Sequence, residues 1–194
     1  MSFGRKFVYS AVLSVLLSAT VLAGAAHAAD RVEVQVRKGQ IQEKPVLPAS
    51  DMTDSFSGRY YDKPLSVKPK VGFEAKSPEE LVSYFIAVNG KGDPQGVAQL
   101  FVPDEQGEIA TSFDNPATIG SSVSLMRKAK EVQIDGYVSA DGLRYYLVSL
   151  GGANRTIVPM VERNGYYYLT SRVRVDTLEV LKAAYRSGQI KAAN

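Results

Sequence analysis

The chain has 194 residues, of which 45% are hydrophobic, and a formal net charge of +3. This composition indicates one globular domain with appendages rather than a disordered chain. Cysteine is absent and His27 is the single histidine, which excludes disulfides, thiolate nucleophiles and cysteine metal sites. If the segment containing His27 is removed, imidazole catalysis and histidine-ligated metals are excluded as well, so we expect neither a metal nor another cofactor.

Residues 1–28 have the three parts of a secretory signal peptide. Arg5 and Lys6 precede an apolar run, and the segment ends in small residues up to Ala28. An uncleaved anchor is the alternative, because the run approaches the ~20 residues of a membrane-spanning helix. Polar residues dilute the run, so we predict cleavage near Ala28, a periplasmic or secreted protein, and no stable membrane insertion afterwards. The mature charge is then near +1, which gives no reason to expect a nucleic-acid partner.

Residues 29–76 are predicted to form an extended, proline-containing N-terminal arm. Residues 31–36 alternate valine with polar residues and predict one short strand. The arm is either flexible or a recognition segment that adds a strand to a partner's sheet. Aromatic residues beside arginine are typical interface anchors, although they also cover hydrophobic seams within a domain. On this basis the candidate partner-binding residues are Phe56, Arg59, Tyr60 and Tyr61.

Residues 77–104 predict two short helices joined by a tight turn. Each helix begins with a capping residue followed by a proline. The first runs from Ser77 to Asn89-Gly90, and the second runs from Asp93 to Pro103. Apolar residues at helical spacing give each helix one buried face. They are Leu81, Tyr84, Phe85 and Val88 in the first helix, and Val97, Leu100 and Phe101 in the second.

The order of these signals resembles the opening of SnoaL-like domains, which share the nuclear transport factor 2 fold. The resemblance covers about residues 76–175. It implies an α+β fold, the nuclear transport factor 2-like cone, in which an N-terminal helical pair packs on a curved antiparallel sheet. We accordingly predict one such domain over residues 77–188. The matching residues mark turns and packing positions: Ser77, Pro78, Glu80, Tyr84, Phe85, Gly92, Asp93, Pro94, Leu100, Phe101, Pro103 and Asp104.

Beyond the helical pair, the sequence predicts a connecting strand or loop over 107–113 and a third helix from Asn115-Pro116 to about Lys130. An antiparallel meander of four strands follows, because apolar and aromatic runs are separated by turn residues. The predicted strands are 131–138, 143–150, 155–163 and 166–173.

Asn164-Gly165 is the strongest hairpin signal in the chain. A two-residue turn there places Val161 opposite Tyr168 and Pro159 opposite Thr170. Because proline cannot donate a ladder hydrogen bond, Pro159 indicates an edge or a bulge.

The last part of the chain predicts an additional C-terminal helix. Asp176 and Glu179 resemble a capping box at its start, and Gly188 marks its end. Many SnoaL-like domains stop at their last strand, so this helix is a departure that packs across the sheet or serves a partner. Residues 189–194 are predicted to form a frayed tail.

Tyrosines are concentrated in the predicted sheet. In ketosteroid isomerases and dehydratases, whose fold this chain resembles, a tyrosine hydroxyl stabilises an oxyanion and a carboxylate moves a proton. The resemblance therefore implies Asp114 or Glu162 as the carboxylate, although no spacing pairs either with a tyrosine. Tyrosine is also a favoured strand residue, so packing is the alternative role. The candidate pocket tyrosines are Tyr84, Tyr146 and Tyr168.

Two functions follow as expectations. The first is an exported, non-catalytic binding or assembly protein. Its partner would be an envelope protein, a secretion-assembly protein, a small apolar ligand, or a second copy bound through the sheet. The alternative is a small isomerase or dehydratase that uses tyrosine and a carboxylate. That enzyme requires an open cone, and it fails if the cone is filled by Phe85, Leu100, Phe101 and Leu147.

Overall fold

The computed structural model describes residues 31–37, 52–113, 116–129, 131–151 and 154–193. The predicted signal peptide with its cleavage site at Ala28 lies outside these residues, as do Asp114 and Asn115. The strands are Arg31–Val36 (β1), Met52–Val67 (β2), Val132–Ala140 (β3), Leu143–Ser149 (β4), Arg155–Arg163 (β5), Tyr166–Leu169 (β6) and Ile190–Ala192 (β7). The helices are Pro78–Lys91 (α1), Pro94–Gln99 (α2), Gln106–Phe113 (α3), Pro116–Lys128 (α4) and Val175–Arg186 (α5).

The described strands form one open, curved antiparallel sheet in the order β6-β5-β4-β3-β2-β1-β7. Successive side chains of a strand point to opposite faces of the sheet, and helices cover both faces of this sheet. On β4, Tyr146 and Val148 pack under α1 and α4, whereas Tyr145 and Leu147 pack under α5. The α+β class and the curved antiparallel sheet are therefore confirmed. The helix placement differs from the prediction, since α5 covers the opposite face and two strands precede α1.

The prediction of an N-terminal arm outside the domain is wrong. The strand predicted over residues 31–36 exists, and residues 52–67 form a second strand that lies between β1 and β3. Pro64, one of the prolines of the predicted arm, falls where the pairing of β2 with β3 shifts between Tyr60 and Leu65. A bulge tolerates proline because its residues are not held in the ladder. The domain therefore includes residues that the sequence assigned to the arm.

The frayed tail is also a wrong prediction. Residues 190–192 pair with β1, and Ile190 is buried. Gly188 has the left-handed φ of 71° that ends α5, as expected. The predicted cap of α5 is not formed, because Asp176 lies inside the helix and Arg174 occupies the N-cap position without a side-chain hydrogen bond.

The helical pair forms with small shifts. Ser77 and Asp93 cap α1 and α2 as predicted, since their side chains accept hydrogen bonds from the amides of Glu80 and Gly96. However, α1 continues through Asn89-Gly90 and ends at Gly92. Residues 107–113, predicted as a connecting strand or loop, belong to the helix α3. No helix within the described residues is long and apolar enough to cross a membrane.

The hairpin of β5 and β6 has the predicted register, with Val161 opposite Tyr168. Strand β6 is shorter than predicted and ends at Leu169, after which the Thr170 amide donates a 3.4 Å hydrogen bond to the Pro159 carbonyl. The outer edge of β6 is covered by backbone hydrogen bonds to Ala75 and to the segment that follows α2. Residues 155–158 of β5 extend beyond the end of β6, so Pro159 lies at the boundary between the paired part of β5 and its free edge.

Candidate functional site

A cavity of about 690 Å³ lies beside the free edge of β5. Its walls come from both helical layers, because residues of α1 and α4 line one side and residues of α5 line the other. Most of the lining is apolar or aromatic. The lining residues are Phe85, Phe101, Phe113, Ser122, Leu125, Met126, Thr156, Ile157, Val158, Pro159, Leu169, Thr170, Lys182 and Arg186.

The backbone of β5 contributes polar groups to this cavity. The Pro159 carbonyl points towards β6, because it accepts from the Thr170 amide. Backbone N–H and C=O groups of a strand alternate between its two edges, so those of Ile157 and Arg155 point to the same outer side. No strand within the described residues pairs with that side. Of these two residues only Ile157 lines the cavity, so its backbone amide, with no strand paired to it, faces a bound molecule beside an apolar wall.

Two cations lie at the α5 side of the cavity. Lys182 forms a 2.9 Å salt bridge with Glu179, one turn earlier on the same helix. Arg186 is exposed in the last turn and has no salt bridge to any described residue. The described lining contains no carboxylate. The cavity therefore combines an apolar interior with a positively charged rim.

The wall that contains Thr170 is fixed by a buried glutamate. Glu105, 1% exposed, accepts hydrogen bonds from the Thr170 hydroxyl at 2.7 Å and from the Ser171 amide and hydroxyl at 2.6 and 2.8 Å. Burial alone would raise the pKa of Glu105, but these hydrogen bonds outweigh it and lower the pKa below its ordinary value. The charged carboxylate thus ties the connection between α2 and α3 to the end of β6.

The structure does not bring the three candidate pocket tyrosines together in this cavity. Tyr84 and Tyr146 are both buried in the core between the sheet and α1. Tyr168 lies on the opposite face of β6 from Tyr167 and Leu169, which face that core. None of the three lines the cavity. Of the two candidate carboxylates, Asp114 lies outside the described residues, and Glu162 is exposed beside Tyr167.

Tyr146 instead belongs to a cluster of tyrosines around Arg144. Its ring centroid is 5.7 Å from that of Tyr137, and the Arg144 guanidinium lies 5.3 Å from the Tyr137 ring. Burial raises the pKa of Tyr146 to about 12, while Arg144 opposes this shift. Tyr61 and Tyr167 are close enough to affect the same ionisation. The cluster joins β2, β3, β4 and β6 across one face of the sheet.

The residues predicted to bind a partner are divided between the two faces of the sheet. Tyr61 joins the tyrosine cluster, whereas Phe56 and Tyr60 pack against the core beneath α5. Arg59 is exposed on β2 and interacts with Tyr61 through its charge. The alternative role, covering hydrophobic surface of the protein's own domain, therefore describes Phe56 and Tyr60.

A tyrosine–carboxylate pair does exist, but at positions that the sequence did not indicate. The Tyr185 hydroxyl on α5 donates a 2.6 Å hydrogen bond to Asp135 on β3, and both residues are buried. Burial, followed by this hydrogen bond, raises the pKa of Tyr185. The Arg155 guanidinium covers the ring at 5.3 Å and donates to the Tyr185 carbonyl. The pair is a packing contact between α5 and the sheet and lies outside the cavity lining.

Replacing Tyr185 by phenylalanine is expected to destabilise the protein by about 1–3 kcal/mol, because Asp135 loses its hydrogen-bond donor inside the core. Tyr145 provides a matched control, since it is buried in the same core and its hydroxyl has no hydrogen-bond partner among the described residues. Tyr145→Phe is expected to be neutral or stabilising. Urea unfolding of both variants measures the difference, and equal losses would contradict this role of the pair.

Comparisons of the chain with protein-family models, with curated proteins and with solved structures gave no match. The candidate site therefore depends on its geometry. The sequence did predict Phe85 and Phe101 as apolar residues of the helical pair. It gave no signal for the cavity, because the space depends on where β6 ends and on the position of α5.

Proposed function

We propose that this protein is an exported binding protein whose cavity holds an amphipathic ligand with an apolar body and an anionic head group. The observation that carries the proposal is the cavity of about 690 Å³, with an apolar lining and cations on one rim. Ligand sites typically have volumes of about 300–1,000 Å³ and apolar walls with a few polar groups that fix orientation. Export is supported by the predicted signal peptide.

The charge distribution favours an anionic rather than a cationic head group. Arg186 and Lys182 supply the charges of the described lining, and no described lining residue is acidic. A carboxylate or phosphate on the ligand would receive charge-assisted hydrogen bonds from Arg186, which are stronger than neutral ones. The backbone amide of Ile157 supplies a further donor at the edge of β5.

The geometry gives the isomerase or dehydratase hypothesis less support than the binding hypothesis. A proton-transfer enzyme of that type needs a tyrosine hydroxyl and a carboxylate in one open cavity. The described lining has neither, and the Tyr185–Asp135 pair lies in the core. The residues expected to fill a cone also differ in position. Phe85 and Phe101 line the cavity, Leu100 is buried in the core beneath α1, and Leu147 faces α5.

The nuclear transport factor 2-like cone is also part of this proposal. It is supported by the curved antiparallel sheet with α1 and α2 on one face, and by their predicted caps. Relative to that cone, this chain would have additional elements. They are the strands β1 and β2, and the helix α5 on the second face of the sheet. Binding of an envelope or secretion-assembly partner, and pairing of two copies through the sheet, remain predictions.

Isothermal titration calorimetry with dodecanoate, dodecanol and dodecylamine tests the ligand class, each compound being used below the concentration at which it aggregates. We expect dodecanoate to bind at least about tenfold more tightly than dodecanol, because a charge-assisted hydrogen bond contributes about 1.5–3 kcal/mol. Dodecylamine should bind most weakly. Arg186→Gln should remove the preference for the carboxylate while leaving the affinity for dodecanol unchanged.

Two further variants separate the apolar wall from the rim. Leu125→Glu places a charge on the cavity wall at a partly exposed helix position, and it should abolish binding of all three compounds. Val175→Glu is the matched control, since Val175 is 71% exposed at the start of α5. The proposal is wrong if dodecanoate gives no binding heat, or if Val175→Glu weakens its binding as much as Leu125→Glu.

A further inference from the structure

The connection between β2 and α1 exposes apolar side chains to solvent. Val71 is 48% exposed and Phe73 is 41% exposed. The other large apolar side chains exposed within the described part of the chain, Leu125 and Val175, lie on separate helices. Residues 68–76, here termed the lysine loop, therefore carry an apolar surface that the fold does not cover.

The lysine loop is held in place against α1. The Ser83 hydroxyl donates a 2.6 Å hydrogen bond to the Lys68 carbonyl, and the Lys70 amide donates to the Ser83 carbonyl at 3.5 Å. Gly72 lies against the Tyr84 ring so closely that an added Cβ would stand 2.5 Å from ring carbon. These contacts fix the backbone while Val71 and Phe73, on either side of Gly72, remain outside the core. Their exposure is thus a property of the fold.

The charge of the loop has one predominant sign. Lys68, Lys70 and Lys76 are all exposed, and Glu74 is the only acid among the nine residues 68–76. None of the three lysines forms a salt bridge with a described residue. Exposed apolar side chains between lysines are typical of surfaces that contact anionic lipid, where the apolar groups enter the interface and the lysines meet the head groups.

We propose that the lysine loop is a docking site for the surface of an anionic phospholipid bilayer. Protein interfaces are depleted in lysine and favour arginine, whereas lysine serves as well as arginine against lipid head groups. Two apolar side chains are also few for a specific protein interface, which buries about 800 Å² on each partner. The contact is peripheral and reversible, and it is independent of the ligand proposed for the cavity.

Vesicle co-sedimentation tests the proposal with residues 29–194, which include every described element and lack the apolar segment that would itself bind lipid. The vesicles contain either phosphatidylcholine alone or equal parts of phosphatidylcholine and phosphatidylglycerol. We expect binding to the mixed vesicles only. Phe73→Ser should lower the partition coefficient about tenfold, since less apolar surface enters the interface. Glutamine at positions 68, 70 and 76 together should lower it about a hundredfold at low salt.

Val175→Ser and Lys128→Gln are matched controls at exposed positions outside the lysine loop, and both should bind like the unmodified chain. Thermal unfolding should be unchanged in every variant, because the altered side chains lie outside the core. Several outcomes would overturn the proposal: no sedimentation with mixed vesicles, equal sedimentation with phosphatidylcholine alone, or equal losses in the controls. Loss of a protein partner in Phe73→Ser without any change in vesicle binding would assign the loop to that partner instead.

Discussion

Replacing Gly136 by alanine is expected to destabilise the protein by at least about 3 kcal/mol, or to prevent folding. Gly136 lies at the irregularity where β3 shifts its pairing with β4. A Cβ at this position would overlap the carbonyl oxygen of Arg59 and approach the Cα of Tyr60, both in the neighbouring strand β2. These are main-chain atoms held by the sheet, so no side-chain rotation relieves the overlap. Moving β2 away from β3 would disturb the apolar cores on both faces of the sheet.

Gly120→Ala is the matched control for that substitution. Gly120 lies within α4, and an added Cβ would meet no atom within 4 Å. Alanine at this exposed helix position should stabilise the protein by about 0.5–1 kcal/mol, because glycine loses more backbone freedom on folding. Urea unfolding followed by circular dichroism measures both effects. A Gly136→Ala protein as stable as the unmodified chain would contradict the close approach of β2 and β3.

The features that the sequence predicted are those specified by neighbouring residues. Capping by Ser77 and Asp93 requires only atoms within the first helical turn, and the register of the last hairpin requires only the turn at Asn164-Gly165. Strand β2 was missed because its place in the sheet depends on β3, more than sixty residues later. The bulge that accommodates Pro64 is created by that distant pairing, so no local pattern indicates it.

The candidate site was harder to predict for the same reason. Its cavity exists because β6 ends at Leu169 while β5 continues, and because α5 returns to the far side of that edge. The resemblance to enzymes directed attention to Tyr84, Tyr146 and Tyr168, which the structure places in the core and on opposite faces of the sheet. Asp135 and Tyr185, the tyrosine–carboxylate pair that forms, are fifty residues apart. The residue types alone do not predict that two such distant side chains form a contact.

The second large effect concerns Glu105, whose replacement by glutamine should destabilise the protein by about 2–3 kcal/mol at neutral pH. The carboxylate accepts three hydrogen bonds from Thr170 and Ser171. The amide nitrogen of glutamine cannot accept a hydrogen bond. In place of one carboxylate oxygen it would face either the Thr170 hydroxyl or the two Ser171 donors, and those donors would lose their acceptor. Because Thr170 also lines the cavity, the same substitution should weaken dodecanoate binding. Glu108→Gln, at an exposed position on α3, is the matched control and should change neither property.

The pH dependence of stability distinguishes a charged carboxylate from a purely steric role. The folded state lowers the pKa of Glu105, so the unfolded chain takes up its proton first as the pH falls. The stabilisation is complete above the unfolded pKa of about 4.3 and is lost as the pH falls towards the folded pKa. Glutamine has no such titration, so the difference in unfolding free energy between the unmodified chain and Glu105→Gln should shrink below about pH 4.3. Other carboxylates titrate equally in both proteins, and a difference that stays constant on acidification would show that the charge of Glu105 does not stabilise the fold.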